Sequence, residues 1–407
     1  MTLVESGGSK EVPEAAFTVR EWILLPLIGV LTVCILAIGG NSIAAKRYGT
    51  SKTTTMNCLV TDNPSRGVTA IPNSVCYQKN NEGRLEEYRF NSCGHRAGME
   101  CGPKRPGTYR IVLMGSSFGY GMWVQRDRSF AALLPIKLSQ MTGHNVELYN
   151  ESMQYAFPRS AAARFDEVLA ANPDMILWAL TPIDIHSAAD VLPDLQNPVA
   201  NLDAWNKIKF RAREAFANRT VADGMDHLLD KGVEQFGHSP LGVALQSAVY
   251  ESRSQYVKSY LMGPDEEQGF LKAELSGRWK DNLRQFESIV AVVAARARTA
   301  GVPLVFVLLP NRAQSAMISM GEWPGNFDPY RLDNELRTII AGHGATYIDI
   351  LPDYRTVSVP EQGYFAVDGH PNDYGHEVIS RLLAKELTAR SIPSLGAGMK
   401  VASEKGR

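Results

Sequence analysis

Two short segments of the chain hold residue types that can do nucleophilic chemistry together. The first is GSSFGYG, Gly115 to Gly121. A serine hydroxyl is a poor nucleophile until a neighbouring base takes its proton. An imidazole does this, and a carboxylate then fixes the ring's tautomer and stabilises the imidazolium. Both partners stand in the second segment, DGHPNDYGH, Asp368 to His376. Ser117 supplies the hydroxyl, His370 the base and Asp368 its orienter. The glycines around Ser117 permit a tight turn and bring backbone N–H groups close to a reacting oxygen. Pro371 and Asn372 suit a turn, and Asn372 or Asp373 can cap a helix starting near Tyr374. Each segment alone is an ordinary turn; the pair is far more specific.

These residues lie about 250 positions apart, so the intervening elements must bring them together. Tyr109–Met114 (YRIVLM) is a short apolar run ending at the Gly/Ser turn, and the amphipathic stretch Ser129–Met141 comes next. Val146–Tyr149 and Asp174–Leu180 read as further strands, with a helical pattern around Ala161–Ala171 between them. The helix Trp279–Ala300, the strand Pro303–Leu309, a helix near Arg331–Ala341, the strand Thr346–Ile350 and a closing helix Tyr374–Leu387 complete the alternation. Strands alternating with helices predict α/β architecture, a parallel sheet covered on both faces. Ligands of such sheets sit beyond the carboxyl ends of the strands, where Ser117 stands. From about Asn201 to Gly277 the chain is charged, mixed and helix-like. It predicts a helical insertion over or beside the mouth of the site, because it lies beyond the third strand's carboxyl end.

The chain has 407 residues, 44% hydrophobic and 21% charged, with a formal net charge of −1. Lys and Arg are spread out, so the basic stripe needed for a nucleic-acid partner is missing. Trp22–Ile38 (WILLPLIGVLTVCILAI) is apolar and the uncharged stretch runs to Ala45. About 20 such residues cross a bilayer core as a helix, and Pro26 and the glycines are tolerated there. A cleaved signal ending near Ser42-Ile43-Ala44 and a buried core helix are the alternatives. The long polar leader opposes the first, and the absence of a polar face opposes the second. Lys10 and Arg20 before the span, against Lys46, Arg47 and Lys52 after it, tilt the charge count slightly toward the opposite topology.

The cysteines outweigh that count. Cys34 lies in the span, and Cys58, Cys76, Cys93 and Cys101 all come soon after it. An even cluster in one loop-rich segment reads as two disulfides in an oxidising compartment. The pairs 58–76 and 93–101 close short loops and are the expected connectivity among three. A zinc site is disfavoured, since no C-x-x-C pair is present and His95 is the only nearby imidazole. The predicted plan is a cytoplasmic polar leader 1–21, a transmembrane helix 22–45, a disulfide-pinned irregular collar 46–108, the α/β domain 109–390 and a flexible tail 391–407.

With both motifs in view, the sequence resembles the SGNH (GDSL-like) hydrolase family from roughly Tyr88 to Leu387, less the insertion. Gly115-Ser116-Ser117…Gly121 is similar to the family's G-D-S-x-x-x-G block, and DGHPNDYGH to its closing D-x-H…G-H block. Arg96 and the RIVLMGSS run match many extracytoplasmic members. The resemblance implies a three-layer flavodoxin-like sheet with Ser117 as nucleophile, His370 as base and then acid, and Asp368 as orienter. It implies an oxyanion hole from the N–H of Ser117, with Tyr155 and Asn150 from the second block. The departures are three. Ser116 replaces the Asp of the first block, a tolerable loss because the next residue is the nucleophile. Tyr155 takes the second block's Gly position. Thr181-Pro182-Ile183-Asp184 lacks the third block's Asn, and losing one oxyanion donor costs about 100- to 1000-fold; Asn150 or Asn311 are the candidate substitutes. Asp184, Asn311 and Trp323 are candidates for binding substrate, Trp323 by stacking on a sugar ring.

The implied activity is acyl-ester hydrolysis or O-acyl transfer through acyl-Ser117, with no cofactor or metal. Membrane-anchored members imply an acylated cell-envelope or extracellular polysaccharide as substrate, envelope polysaccharide machinery as partner, and a single pass through a bacterial inner membrane with the domain in the periplasm. The alternative is a catalytically degenerate domain that binds glycan or holds an envelope assembly.

Overall fold

Apolar runs without a polar face assemble where both faces of a sheet are covered. The computed structural model describes residues 19–48, 58–63, 66–188, 237, 239–391 and 395. It opens with a long helix, α1 (Val19–Tyr48), and two small hairpins: β1 (Leu59–Asn63) with β2 (Gly67–Ala70), and β3 (Val75–Gln78) with β4 (Glu86–Arg89). The apolar runs then give β5 (Thr108–Gly115), β6 (Asn145–Asn150), β7 (Met175–Leu180), β8 (Leu304–Leu308) and β9 (Thr346–Ile348). These five form one parallel sheet in the order β6-β5-β7-β8-β9. Every residue of β7 and β8 is buried. β9 stops two residues earlier than expected, because the Asp349 side chain takes the N–H of Leu351 and turns the chain.

The helices, in chain order, are α2 (Ser117–Tyr120), α3 (Phe130–Thr142), α4 (Pro158–Ala163), α5 (Phe165–Ala170), α6 (Pro182–His186), α7 (Pro240–Tyr250), α8 (Arg253–Leu261), α9 (Asp265–Gln268), α10 (Gly277–Thr299), α11 (Arg312–Met320), α12 (Arg331–Gly342) and α13 (Asp373–Glu386). From β5 the chain moves outward to β6; from β7 it moves the other way to β8. Right-handed crossovers therefore place α3 and α10 on opposite faces. α3 packs on α13, whereas α10 packs on α4, α6 and α12, giving three layers. α10 buries Trp279, Leu283, Phe286, Val290, Val293 and Ala297, one stripe at helical spacing.

The described residues of the expected collar, 58–63 and 66–108, include the two hairpins. Their strands are only four or five residues long, too short for alternation to announce them. Cys58 pairs with Cys76 and Cys93 with Cys101, each at a Cα separation of 6.0 Å. Most of the predicted leader and tail, and residues 189–236 of the predicted insertion, lie outside the described residues. Beyond Ser239 the insertion is helical, as α7 to α9.

Candidate active site

β5 and β7 run in register to their ends, Gly115 beside Ala179, so the turns after both open on the same edge of the sheet. Ser117 begins α2 immediately beyond β5. As a first-turn residue it has no carbonyl four positions back for its N–H. The turn is tight: a Cβ on Gly119 would stand 2.3 Å from Ser152 Oγ. Gly121 ends α2 at φ 75°, in the left-handed region that glycine tolerates. Arg96 braces this turn from the collar. Its guanidinium donates to the carbonyls of Tyr120, Gly121 and Val124 and lies 4.0 Å from the centroid of the Tyr88 ring.

The second segment arrives from the start of α13. The Asn372 side chain caps that helix by accepting from the N–H groups of Tyr374 and Gly375, leaving residues 368–370 as a loop at the strand ends. His370 Nε2 lies 2.8 Å from Ser117 Oγ, and His370 Nδ1 lies 2.7 Å from Asp368 Oδ1. The same Asp368 oxygen accepts the His370 backbone N–H at 3.1 Å. The three side chains thus form one hydrogen-bonded relay, with the hydroxyl at one end and the carboxylate at the other.

Residues that spacing did not reveal hold the far end of the relay. Trp123 Nε1–H donates to Asp368 Oδ2 at 3.0 Å. Trp123 itself sits at φ 68°, rare for a bulky side chain, and its backbone N–H donates to the Tyr88 hydroxyl at 2.7 Å. Glu82, in the collar, accepts the N–H groups of Val367 and Asp368 at 2.9 and 2.8 Å. Burial raises the Glu82 carboxyl above its usual range; the backbone donors oppose this and the nearby Asp368 adds to it. No local pattern marks these contacts, since Glu82 and Asp368 are 286 positions apart.

Beside the relay is a cavity of about 640 Å³ whose walls include Ser117, Tyr155, His186, Asn311 and His370. One wall comes from the insertion: Tyr250, Tyr256 and Tyr260. Burial pushes the Tyr256 and Tyr260 hydroxyls up, so both stay neutral. Arg312 ties this wall to the loop before Asp368 by donating to the carbonyls of Tyr250 and Ala366.

The remaining sequence candidates divide. Tyr155 lines the cavity at φ 58°, the conformation a glycine would take in its place. Asn311 lines the cavity too, but its amide N–H donates to the Tyr260 hydroxyl at 2.7 Å and its oxygen caps α11. Asn150 does not reach the cavity. It is buried, donates to the Gly119 carbonyl and accepts from Ser152 N–H, so it shapes the serine turn and is not an oxyanion donor. Asp184 also turns inward, accepting from the N–H and hydroxyl of Thr181 at the start of α6. Burial raises its carboxyl to about 6, with Thr181 and Ser116 pulling the other way. Trp323 packs against the Tyr330 ring, outside the cavity wall. Neither Asp184 nor Trp323 is placed to bind substrate. Asp349 and Asp353 pair with Arg337 and Lys385. His376 is buried and takes the Phe130 N–H on Nδ1; burial lowers it to about 3. It is a packing group.

Strand order and helical layers give a flavodoxin-like three-layer arrangement, with a Ser-His-Asp relay at its carboxyl edge. No family model and no characterised protein sequence matches the chain. Among solved structures it is similar to TesA, at 11% identity and TM-score 0.36 over 70% of this chain and 99% of that one. It is similar to an acetyl-xylooligosaccharide esterase, Axe2, at 12% and 0.36 over 71% and 96%. A lipase/acylhydrolase from Enterococcus faecalis gives 13% and 0.34 over 69% and 96%. Identities this low leave the reaction to be read from this chain's own side chains.

Proposed function

We propose that the chain is a serine-dependent acyl-ester enzyme, a hydrolase or O-acyltransferase working through acyl-Ser117. The observation that carries the reading is the unbroken relay from Ser117 Oγ through His370 to Asp368 beside an open cavity. Ser117 Oγ attacks the ester carbonyl while His370 Nε2 takes its proton, and Asp368 stabilises the imidazolium through Nδ1–H. The negative oxygen is held by the backbone N–H groups of Ser117 and Tyr155. Collapse of this intermediate breaks the ester C–O bond, and His370 returns the proton to the leaving alcohol. Water or a sugar hydroxyl then attacks acyl-Ser117 by the same steps in reverse. The two outcomes share every residue and differ only in the acceptor.

The aromatic wall supports an acylated carbohydrate as substrate, because tyrosine faces and hydroxyls suit a ring that is apolar on one face and polar at its rim. α1 supports a membrane anchor: residues 26–48 are long and apolar enough to cross a bilayer and almost wholly exposed. The two disulfides support an extracytoplasmic domain, in keeping with an enzyme that works on the outer face of the inner membrane beside envelope polysaccharide machinery. The missing third-block amide favours the rival reading, a glycan-binding domain without activity. Hydrolysis of p-nitrophenyl acetate separates the two. The account expects turnover that Ser117→Ala abolishes and His370→Ala nearly abolishes. No turnover, or turnover unaffected by Ser117→Ala, would select the rival.

A further inference from the structure

α7 reads PLGVALQSAVY, eleven residues without a charge. It packs along the carboxyl-terminal end of α1. Gly40 of α1 is backed so closely by Leu241 that a Cβ there would stand 3.3 Å from the Leu241 side chain. Asn41 Oδ1 accepts the Leu241 N–H at 3.2 Å, supplying a partner to one of the orphan donors at the start of α7. Pro240, Gly242 and Val243 are buried. Leu245 and Val249, one and two turns beyond Leu241, are each 51% exposed. Earlier along α1, Leu27, Leu31, Leu36 and Ile38 are likewise open. Tyr250, the last residue of α7, is already in the wall of the Ser117 cavity.

We infer that α7 is an interfacial helix, lying in the outer headgroup layer of the same bilayer that α1 crosses, with Leu245 and Val249 turned into the lipid. The inference rests on the reading of α1 as a membrane span. Its basis is the packing of α7 on α1. A span that leaves the hydrocarbon over the last turns of α1 fixes the depth of whatever packs there, and α7 packs there with no charge to keep it in water and exposed apolar side chains that nothing among the described residues covers. An uncharged helix at that depth gains by moving its exposed apolar side chains out of water at the acyl boundary. The cavity then opens next to the membrane surface, and a substrate held at that surface reaches Ser117 without the domain moving.

The native cysteines make the test direct, because Cys34 is free and lies within α1. The full chain is reconstituted in phosphatidylethanolamine/phosphatidylglycerol vesicles containing nitroxide lipids and carries an environment-sensitive fluorophore on one thiol. That thiol is Cys34 itself, or, in a Cys34→Ala background, Leu245→Cys, Val249→Cys or Lys280→Cys on the exposed face of α10. The inference expects deep-chain nitroxides to quench the Cys34 label. Shallow nitroxides should quench the 245 and 249 labels at least twofold more than the 280 label. Quenching at 34 with 245 and 249 behaving like 280 would overturn it while leaving the anchor intact. No quenching at 34 would overturn the anchor and this inference together. Labels at 245 and 249 shielded from aqueous iodide yet untouched by either nitroxide would mean that protein covers these side chains, a second copy or residues 189–236, and would also overturn it.

Discussion

At the residue scale, the reading turns on how firmly His370 and Asp368 are held. Asp368 has both oxygens engaged, one by the His370 ring and backbone and the other by the Trp123 indole. Asp368→Asn keeps the shape but cannot fix the ring's tautomer as a carboxylate does, so kcat should fall, though less cleanly than with His370→Ala, since other groups still hold the ring. Trp123 touches no reacting atom and is a positioning residue. Trp123→Phe removes one hydrogen bond, worth about 1 kcal/mol, and should lower kcat about fivefold on p-nitrophenyl acetate with KM unchanged. A change in KM alone would place Trp123 in substrate binding instead. The motif residues were legible because each stands directly after a strand or before a helix, where few arrangements are possible. Asn150 and Asp184 were misread for a shared reason. A short polar side chain in a turn first satisfies its own neighbours, and here Ser152, Gly119 and Thr181 hold these two residues away from the cavity.

At the element scale, the collar belongs to the site. It delivers Glu82 to the loop of Asp368, Tyr88 to Trp123 and Arg96 to the turn after Ser117. Glu82→Ala leaves two backbone N–H groups without their acceptor, at about 1 to 3 kcal/mol. Stability should fall by that amount and kcat by about tenfold, with Glu82→Gln rescuing part of both. Glu87→Ala, on the exposed face of β4, should change neither. Urea unfolding and initial rates on the three variants check this. Removing the Cys58–Cys76 link by paired serine substitution opens an 18-residue span and should cost about 3 kcal/mol. The strands and long helices were legible because burial on both faces, or on one stripe, writes itself into apolar spacing. The collar hairpins were not, because four-residue strands carry almost no period and their partners lie on distant loops.

At the scale of the whole molecule, the sheet hides charges that link its stability to pH. Glu151, after β6, is buried, and burial raises its carboxyl from 4.5 to about 7, Arg164 pulling it back. The folded chain therefore binds more protons than the unfolded chain between those values. Stability from this group is fully present below pH 4.5 and is lost as pH rises through 7. Glu151→Gln should remove up to about 3 kcal/mol of that decline, flattening the stability profile from pH 4.5 to about 7 in denaturant titrations; an unchanged slope would mean Glu151 is solvated. Everything proposed for the assembled molecule, anchor, collar and cavity alike, converges on one reactive hydroxyl. The most direct test treats the full chain in its membrane with a fluorophosphonate and locates the adduct by intact mass and peptide mapping. The account predicts one adduct, on Ser117, absent from Ser117→Ala and much slower to form in His370→Ala. No adduct, or an adduct on another serine that survives Ser117→Ala, would contradict it.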